Sequence, residues 1–270
     1  MENNPRLIFH AHIPKTAGLA FRGLLEQNFP GRFVSLQLAH PQQYCSVPEF
    51  EEYLRANPKA DAVSTHFLRI FPETLAGRKV LYLTFLRDPL GLTLSLFRFL
   101  RKSYPSLSDE QKRTLPQGIE SMSLRDIARF HIENWFDERQ QFSMQTAFFS
   151  PIPNVRLNER PPGYGFYGKD SLVDACAALN RFFFVGLVER MPESLLLLQH
   201  KLNRNGIPFE AAGMKVVNST DRAPGEETWL HDNDAVGRII LNANRSDQEL
   251  YRLFSDKFQA ELKKAGITGG

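Results

Sequence analysis

The stretch Leu7-Ile8-Phe9-His10-Ala11-His12-Ile13, followed at once by Pro14-Lys15-Thr16-Ala17-Gly18, decides the fold. The first seven residues are β-prone and alternate, which predicts a strand. Pro14 to Gly18 breaks it. Phe21, Leu24, Leu25 and Phe29 then recur at helical spacing until Pro30-Gly31 stops the run. A strand, a turn of small residues and a helix gather backbone N–H groups and a helix N-terminus around one point. The unpaired donors and the helix dipole both favour an anion there. Lys15 adds a mobile positive charge and Thr16 a hydroxyl donor. The G-x-x-x-x-G-K-[ST] spacing of a Walker A loop is absent, which disfavours an ordinary ATPase or GTPase. Taken alone, the pentapeptide also fits a surface lysine in a tight turn.

The arrangement recurs downstream. Val80 to Leu86 is a near-continuous apolar run, as expected of a central parallel strand. It ends at Arg87-Asp88-Pro89, where a helix begins whose apolar face is Leu90, Leu94, Phe97 and Leu100. Arg87 falls at the carboxyl end of the sheet, where open α/β sheets bind ligands. Its guanidinium suits bidentate contact with phosphate. Ser95 follows about two turns into the helix. Arg87 and Ser95 together suit a second phosphate, apart from the first. The plain alternative is an Arg87–Asp88 surface pair and a packed serine.

The rest of the chain reads coarsely. Ala62 to His66 is a short strand ending in a histidine, and Phe182 to Val188 a buried one. Ser123 with Asp126 signals a capping box opening one long helix through about Phe148. Pro192–Asn205 and Asp247–Ala265 read as helices stopped by Gly206 and Gly266. Strands alternating with helices predict an α/β, P-loop-like three-layer fold. Its central parallel sheet would be flanked by helices in a single domain spanning residues 1–270.

Composition narrows the classes. With 42% hydrophobic and 23% charged residues, the 270-residue chain can bury a core and stay in solution. A net charge of +3 is too small to indicate nucleic acid, but suits an anionic ligand if concentrated in one cleft. Cys45 and Cys176 show no zinc spacing and read as reduced thiols; no metal is expected. The N-terminus lacks signal-peptide features, and no apolar run approaches the roughly 20 residues that span a bilayer. A cytoplasmic protein is the expectation.

His12-Ile13-Pro14-Lys15-Thr16-Ala17-Gly18 resembles the HIPKTGG signature of the sulfotransferase family that includes heparan sulfate 2-O-sulfotransferase and related carbohydrate enzymes. Phe85 to Phe97 is similar to that family's FLRDPxxRxxSxY signature. Ser143-Met144-Gln145-Thr146 resembles its NxQTR segment. Val185 to Arg190 with Glu193-Ser194-Leu195 resembles VGLxExxxxSL, and Asn244 to Leu253 resembles NxxDxxLYxxF. The matches run in order along nearly the whole chain. The resemblance implies transfer of a sulfuryl group from 3′-phosphoadenosine 5′-phosphosulfate to a hydroxyl, with release of 3′,5′-bisphosphoadenosine. It implies that Pro14, Lys15, Thr16, Ala17, Gly18, Leu19 and Ala20 cradle the 5′-phosphosulfate, and that Arg87 and Ser95 hold the 3′-phosphate. A late segment closing over the nucleotide would be Val217 to Arg222, with Ser219 and Thr220. The chain departs from the pattern at Ala17, Leu19 and Ala20, where the family usually has Gly, Thr and Ser. It also lacks the internal Arg of the second signature, where Leu92 or Thr93 stands.

Sulfuryl transfer needs an in-line hydroxyl, a base, and a cation for charge on the leaving oxygen. Lys15 is the candidate cation and His66 the candidate base; His10 and His12 compete, and His12 is the candidate for orienting the acceptor. The acceptor itself is not named by the sequence: glycan, lipid and small-metabolite hydroxyls all fit, and the resemblance favours a carbohydrate. Ser150 to Lys169, without period and rich in Pro, Gly and Arg, reads as a loop or lid over a cleft. Its Arg156, Arg160, Lys169, Tyr164 and Tyr167 suit an anionic or sugar-bearing acceptor. Two alternatives stand beside this reading: a P-loop kinase acting on a small molecule, and a nucleotide-binding adaptor without activity.

Overall fold

A computed structural model describes residues 6–37, 45–113, 115–135, 143–150, 172–213, 228–230 and 234–267. The Ser219–Thr220 segment and nearly all of the 150–169 loop lie outside the described residues.

The decisive stretch forms the units its pattern predicts. Strand β1 covers Arg6–Ala11 and helix α1 covers Gly18–Asn28. β2 (Phe33–Ser35), α2 (Val47–Ala56), β3 (Ala62–Thr65), β4 (Thr74–Leu75) and β5 (Arg78–Leu86) follow. After β5 come α3 (Pro89–Ser103), α4 (Asp109–Lys112), α5 (Leu124–Trp135), α6 (Met144–Phe149) and α7 (Leu172–Asn180). β6 (Phe184–Leu187), α8 (Met191–Arg204), α9 (Ala235–Ala243) and α10 (Arg245–Ala265) complete the chain. The central strands run parallel in the order β2-β3-β1-β5, with β6 parallel to the far half of β5 and β4 antiparallel to its start. The fold is α/β, with a parallel sheet flanked by helices in a three-layer, P-loop-like arrangement.

Alternation along β1 divides the core. Phe9 faces the side where Phe50, Phe71 and Tyr82 pack, with ring centroids 5.2–6.4 Å away. His10 faces α1, its ring 4.7 Å from Phe21 and 6.2 Å from Phe85. A second apolar cluster joins Leu94 and Phe97 of α3 to Ile127 of α5 and Ile240 of α9. α3 therefore backs a second core while its N-terminus sits at the sheet edge.

Two expectations change, one for a helix and one for a strand. The helix opened by Ser123 does not run on to Phe148. A separate helix starts at Met144, because Ser143 before it has a ψ of 70° that no continuous helix passes through. The new start exists because Asp247 of α10 caps it, accepting from the N–H groups of Gln145 (2.9 Å) and Thr146 (2.6 Å). The strand expected over 182–188 is confined to Phe184–Leu187, because Phe182 turns into the aromatic cluster of Phe71, Tyr82 and Phe149. α2 is opened by Ser46 and Glu49, which form a reciprocal capping box.

Candidate functional site

Because β1, β3, β5 and β6 are parallel, their carboxyl ends meet at one edge. Ala11 is paired with Thr65, so His12 and His66 emerge side by side. Leu86 is paired with Leu187, so Arg87 and Val188 emerge together.

The first turn is wound tightly. Lys15 has φ 68° and Ala17 φ 61°, a left-handed conformation that ordinarily favours glycine. Ala17 stands where the resembled signature carries glycine, so the backbone keeps that shape at some strain. Thr16 is fully buried, and its hydroxyl donates to the Ile13 carbonyl at 2.8 Å. The hydroxyl thus clamps the turn rather than facing the mouth. The first backbone bond of α1 runs from the Phe21 N–H to the Ala17 carbonyl at 3.1 Å. The amides of Gly18, Leu19 and Ala20 precede it and form the open donor end of the helix. Ala17, at the helix N-cap, offers no side-chain acceptor to them. Ala20 is buried, and Leu19 is 51% exposed beside that end.

Lys15 is half-buried, its Nζ 4.5 Å from the centre of the Phe99 ring on α3. Burial, then the charges of Arg87 and Lys102, bring its ammonium down from 10.5 to about 8. Arg87 closes the gap between the two turns: its Nη1 donates to the Lys15 carbonyl at 2.9 Å. Asp88 does not pair with Arg87 at the surface. Its Oδ2 caps α3 by accepting from the Gly91 N–H at 2.7 Å. Ser95 is on the same helix and only 3% exposed, so the second candidate phosphate ligand is an inward-facing hydroxyl. Leu92 and Thr93, where the resembled signature has Arg, are each 1% exposed.

The histidines form a row beneath α1. The rings of His10 and His12 stack with centroids 5.2 Å apart, and those of His12 and His66 lie 4.4 Å apart. Gly18 permits this: a Cβ there would lie 1.7 Å from His12 Nε2. Burial foremost, with the charges of His66 and Arg22, holds His10 at about 3. Burial also holds His12 well below 6.5, aided by its neighbours His10, His66 and Arg22. His66 is lowered as well, mainly by burial, against the opposing bond to the His12 carbonyl. All three are therefore neutral at pH 7. His66 Nδ1 lies 3.1 Å from the His12 carbonyl, which only accepts, so Nδ1 carries the hydrogen and Nε2 the free lone pair. His66 is thus held in the tautomer a proton acceptor needs, and His12 supplies the holding carbonyl.

The weaker motifs acquire roles that spacing did not indicate. Gln145, fully buried, grips both polar groups of the Arg87 backbone. Its Oε1 accepts from the Arg87 N–H at 2.9 Å and its Nε2 donates to the Arg87 carbonyl at 2.8 Å. Glu189 Oε1 accepts from the Asp88 N–H at 3.0 Å, and its Oε2 accepts from the Tyr251 hydroxyl at 2.8 Å. The Ser143–Thr146, Val185–Arg190 and Asn244–Leu253 segments thus converge on the second turn. Sequence resemblance marked them; only the fold gives them a common target. Among the described residues no cluster of three His, Cys, Asp or Glu side chains is arranged to hold a metal, and no helix is long and apolar enough to cross a membrane.

A scan against models of known protein families finds no match. The chain is 24% identical over 264 residues to an uncharacterized protein of Archaeoglobus fulgidus, an alignment covering 95% of this chain and 98% of that one. The similarity thus extends over nearly the whole chain, and the description of that relative carries no activity.

Proposed function

We propose that this protein transfers a sulfuryl group from 3′-phosphoadenosine 5′-phosphosulfate to an acceptor hydroxyl, on a carbohydrate or another hydroxyl-bearing molecule, in the cytoplasm. The observation that carries the reading is the junction of the two turns. Lys15 and Arg87 lie on the turns that follow neighbouring parallel strands, and Arg87 bonds to the Lys15 carbonyl. Two cations and an open helix end thus share one edge, a few residues from a neutral histidine. Those donors suit a ligand carrying two separated phosphate-type groups. In this reading the amides of Gly18 to Ala20 and Lys15 bind the 5′ group, and Arg87 with Ser95 the 3′-phosphate. Lys15 bears the charge that builds on the leaving oxygen, and His66 Nε2 takes the acceptor proton.

The test is calorimetric titration with 3′,5′-bisphosphoadenosine in the presence of EDTA, followed by a screen of acceptors with labelled donor. Binding without Mg²⁺, with Arg87→Ala losing affinity for this ligand far more than for adenosine 5′-phosphate, supports the reading. Preference for ATP with a requirement for Mg²⁺ replaces it with a kinase. A binding adaptor is the second reading. It is favoured by the Thr16 hydroxyl being turned to Ile13 and by exposed Leu19 at the helix end. Tight binding with no transfer to any acceptor would establish it.

A further inference from the structure

We propose that Gln145 and Glu189 are positioning residues that aim Arg87 at the 3′-phosphate, and that α10 anchors them. The inference rests on the reading of Arg87 as the 3′-phosphate ligand.

An arginine at a strand end has a long, rotatable side chain, and its aim depends on the peptide planes that carry it. Here both planes are held from outside the strand. Gln145 occupies the N–H and the carbonyl of Arg87, and Glu189 occupies the N–H of the next residue. Neither clamp is local: Gln145 is 58 residues away in sequence and Glu189 is 101. Each is itself anchored to α10. Asp247, fully buried, accepts from the Gln145 and Thr146 N–H groups and, at 2.7 Å, from the Thr146 hydroxyl. Tyr251 donates to Glu189. Asp247 and Tyr251 are four apart, hence neighbours on one face of α10. That one face thus supports both clamps. Helix packing alone would require none of these side chains to reach the Arg87–Asp88 backbone. Their common target is the turn that presents the guanidinium to Lys15. Holding it in advance removes the ordering that a ligand would otherwise impose.

The experiment measures Kd for 3′,5′-bisphosphoadenosine and for adenosine 5′-phosphate, with melting temperatures, on the whole protein. The variants are Arg87→Ala, Gln145→Ala, Glu189→Ala, Glu189→Gln and Asn203→Ala. Asn203 is the structural comparison, because its amide makes the same two-point grip on the backbone of Phe209, remote from Arg87 in sequence. Gln145→Ala and Glu189→Ala are each expected to lower the preference for the bisphosphate by about tenfold while affinity for the monophosphate holds. Glu189→Gln keeps an oxygen for the Asp88 N–H and should retain most of the preference. Asn203→Ala should lower the melting temperature and leave the preference unchanged. If Arg87→Ala loses the preference and both clamp variants keep it, the positioning role is overturned while the phosphate reading stands. If Arg87→Ala itself keeps the preference, both are overturned. Should Gln145→Ala not fold, Glu189→Ala with its Gln rescue decides the matter.

Discussion

The charge of Lys15 provides the sharpest test of the site. Its ammonium sits among burial, Arg87 and Lys102, which together bring it to about 8. The free protein therefore carries this charge on about nine-tenths of molecules at pH 7 and about one-tenth at pH 9. If Lys15 contacts the 5′ anion, affinity for 3′,5′-bisphosphoadenosine is full below pH 8. Above pH 8 it falls by up to about tenfold per pH unit, because binding must first restore the proton. The fall levels off once the charged contact is lost altogether. A hydrogen bond to a charged group contributes about 1.5–3 kcal/mol, so the total drop is about 10–150-fold. The assay is calorimetric Kd from pH 6.5 to 10, in buffers of different ionisation enthalpy, so that proton uptake is counted directly. Lys15→Arg supplies the comparison, since a guanidinium keeps its charge across this range. Its affinity should be flat to pH 10, whatever its absolute value. Affinity of the parent that is flat from pH 7 to 10, or an identical decline in Lys15→Arg, refutes the placement of Lys15 beside the anion.

Three further outcomes follow from the histidine row. His66→Ala should lower transfer by about 10²–10⁴-fold with donor affinity intact, and abolish an acid limb that lies below pH 6.5, since burial lowers that ring; rate–pH profiles with a fixed acceptor decide it, and a limb that persists assigns the base elsewhere. Gly18→Ala drives a Cβ into the His12 ring and should destabilise the fold by about 3 kcal/mol, read from urea unfolding. Adding His12→Ala should recover part of that loss, and no recovery would mean the overlap lies elsewhere. Acid stability should follow from His10, His12 and His66, whose native values all lie below the unfolded 6.5. Their contribution is complete above pH 6.5 and is lost as pH falls from there towards about 3, the value His10 reaches. The slope is up to about 1.4 kcal/mol per pH unit for each histidine. Urea midpoints between pH 7 and 4 that do not respond to His10→Asn would contradict this.

The sequence by itself determined the parts that depend on short range. Alternation in Leu7 to Ile13, the break at Pro14 to Gly18 and the apolar run ending at Arg87 specify two strand–turn–helix units, because strand and helix periods and breakers are local properties. They were enough to select the α/β class and to place Lys15 and Arg87 on turns. The expected helix through Phe148 failed for the complementary reason. What starts a new helix at Met144 is Asp247, about a hundred residues away, and no local pattern reports a distant cap. The same limit applies to the site. A Thr16 hydroxyl beside an anion-binding turn reads as a ligand in sequence; tertiary packing turns it onto Ile13. His66 reads as a base with an ordinary pKa; burial lowers it, and a bond to the His12 carbonyl chooses its tautomer. Gln145, Glu189, Asp247 and Tyr251 stand in motifs, but motifs do not say what their side chains grip. Only the parallel pairing of β5 with β6, with α10 packed against β6 and α6, brings those groups onto one turn. Hydrogen bonds and desolvation act over a few ångströms in space, and chain separation leaves that proximity undetermined.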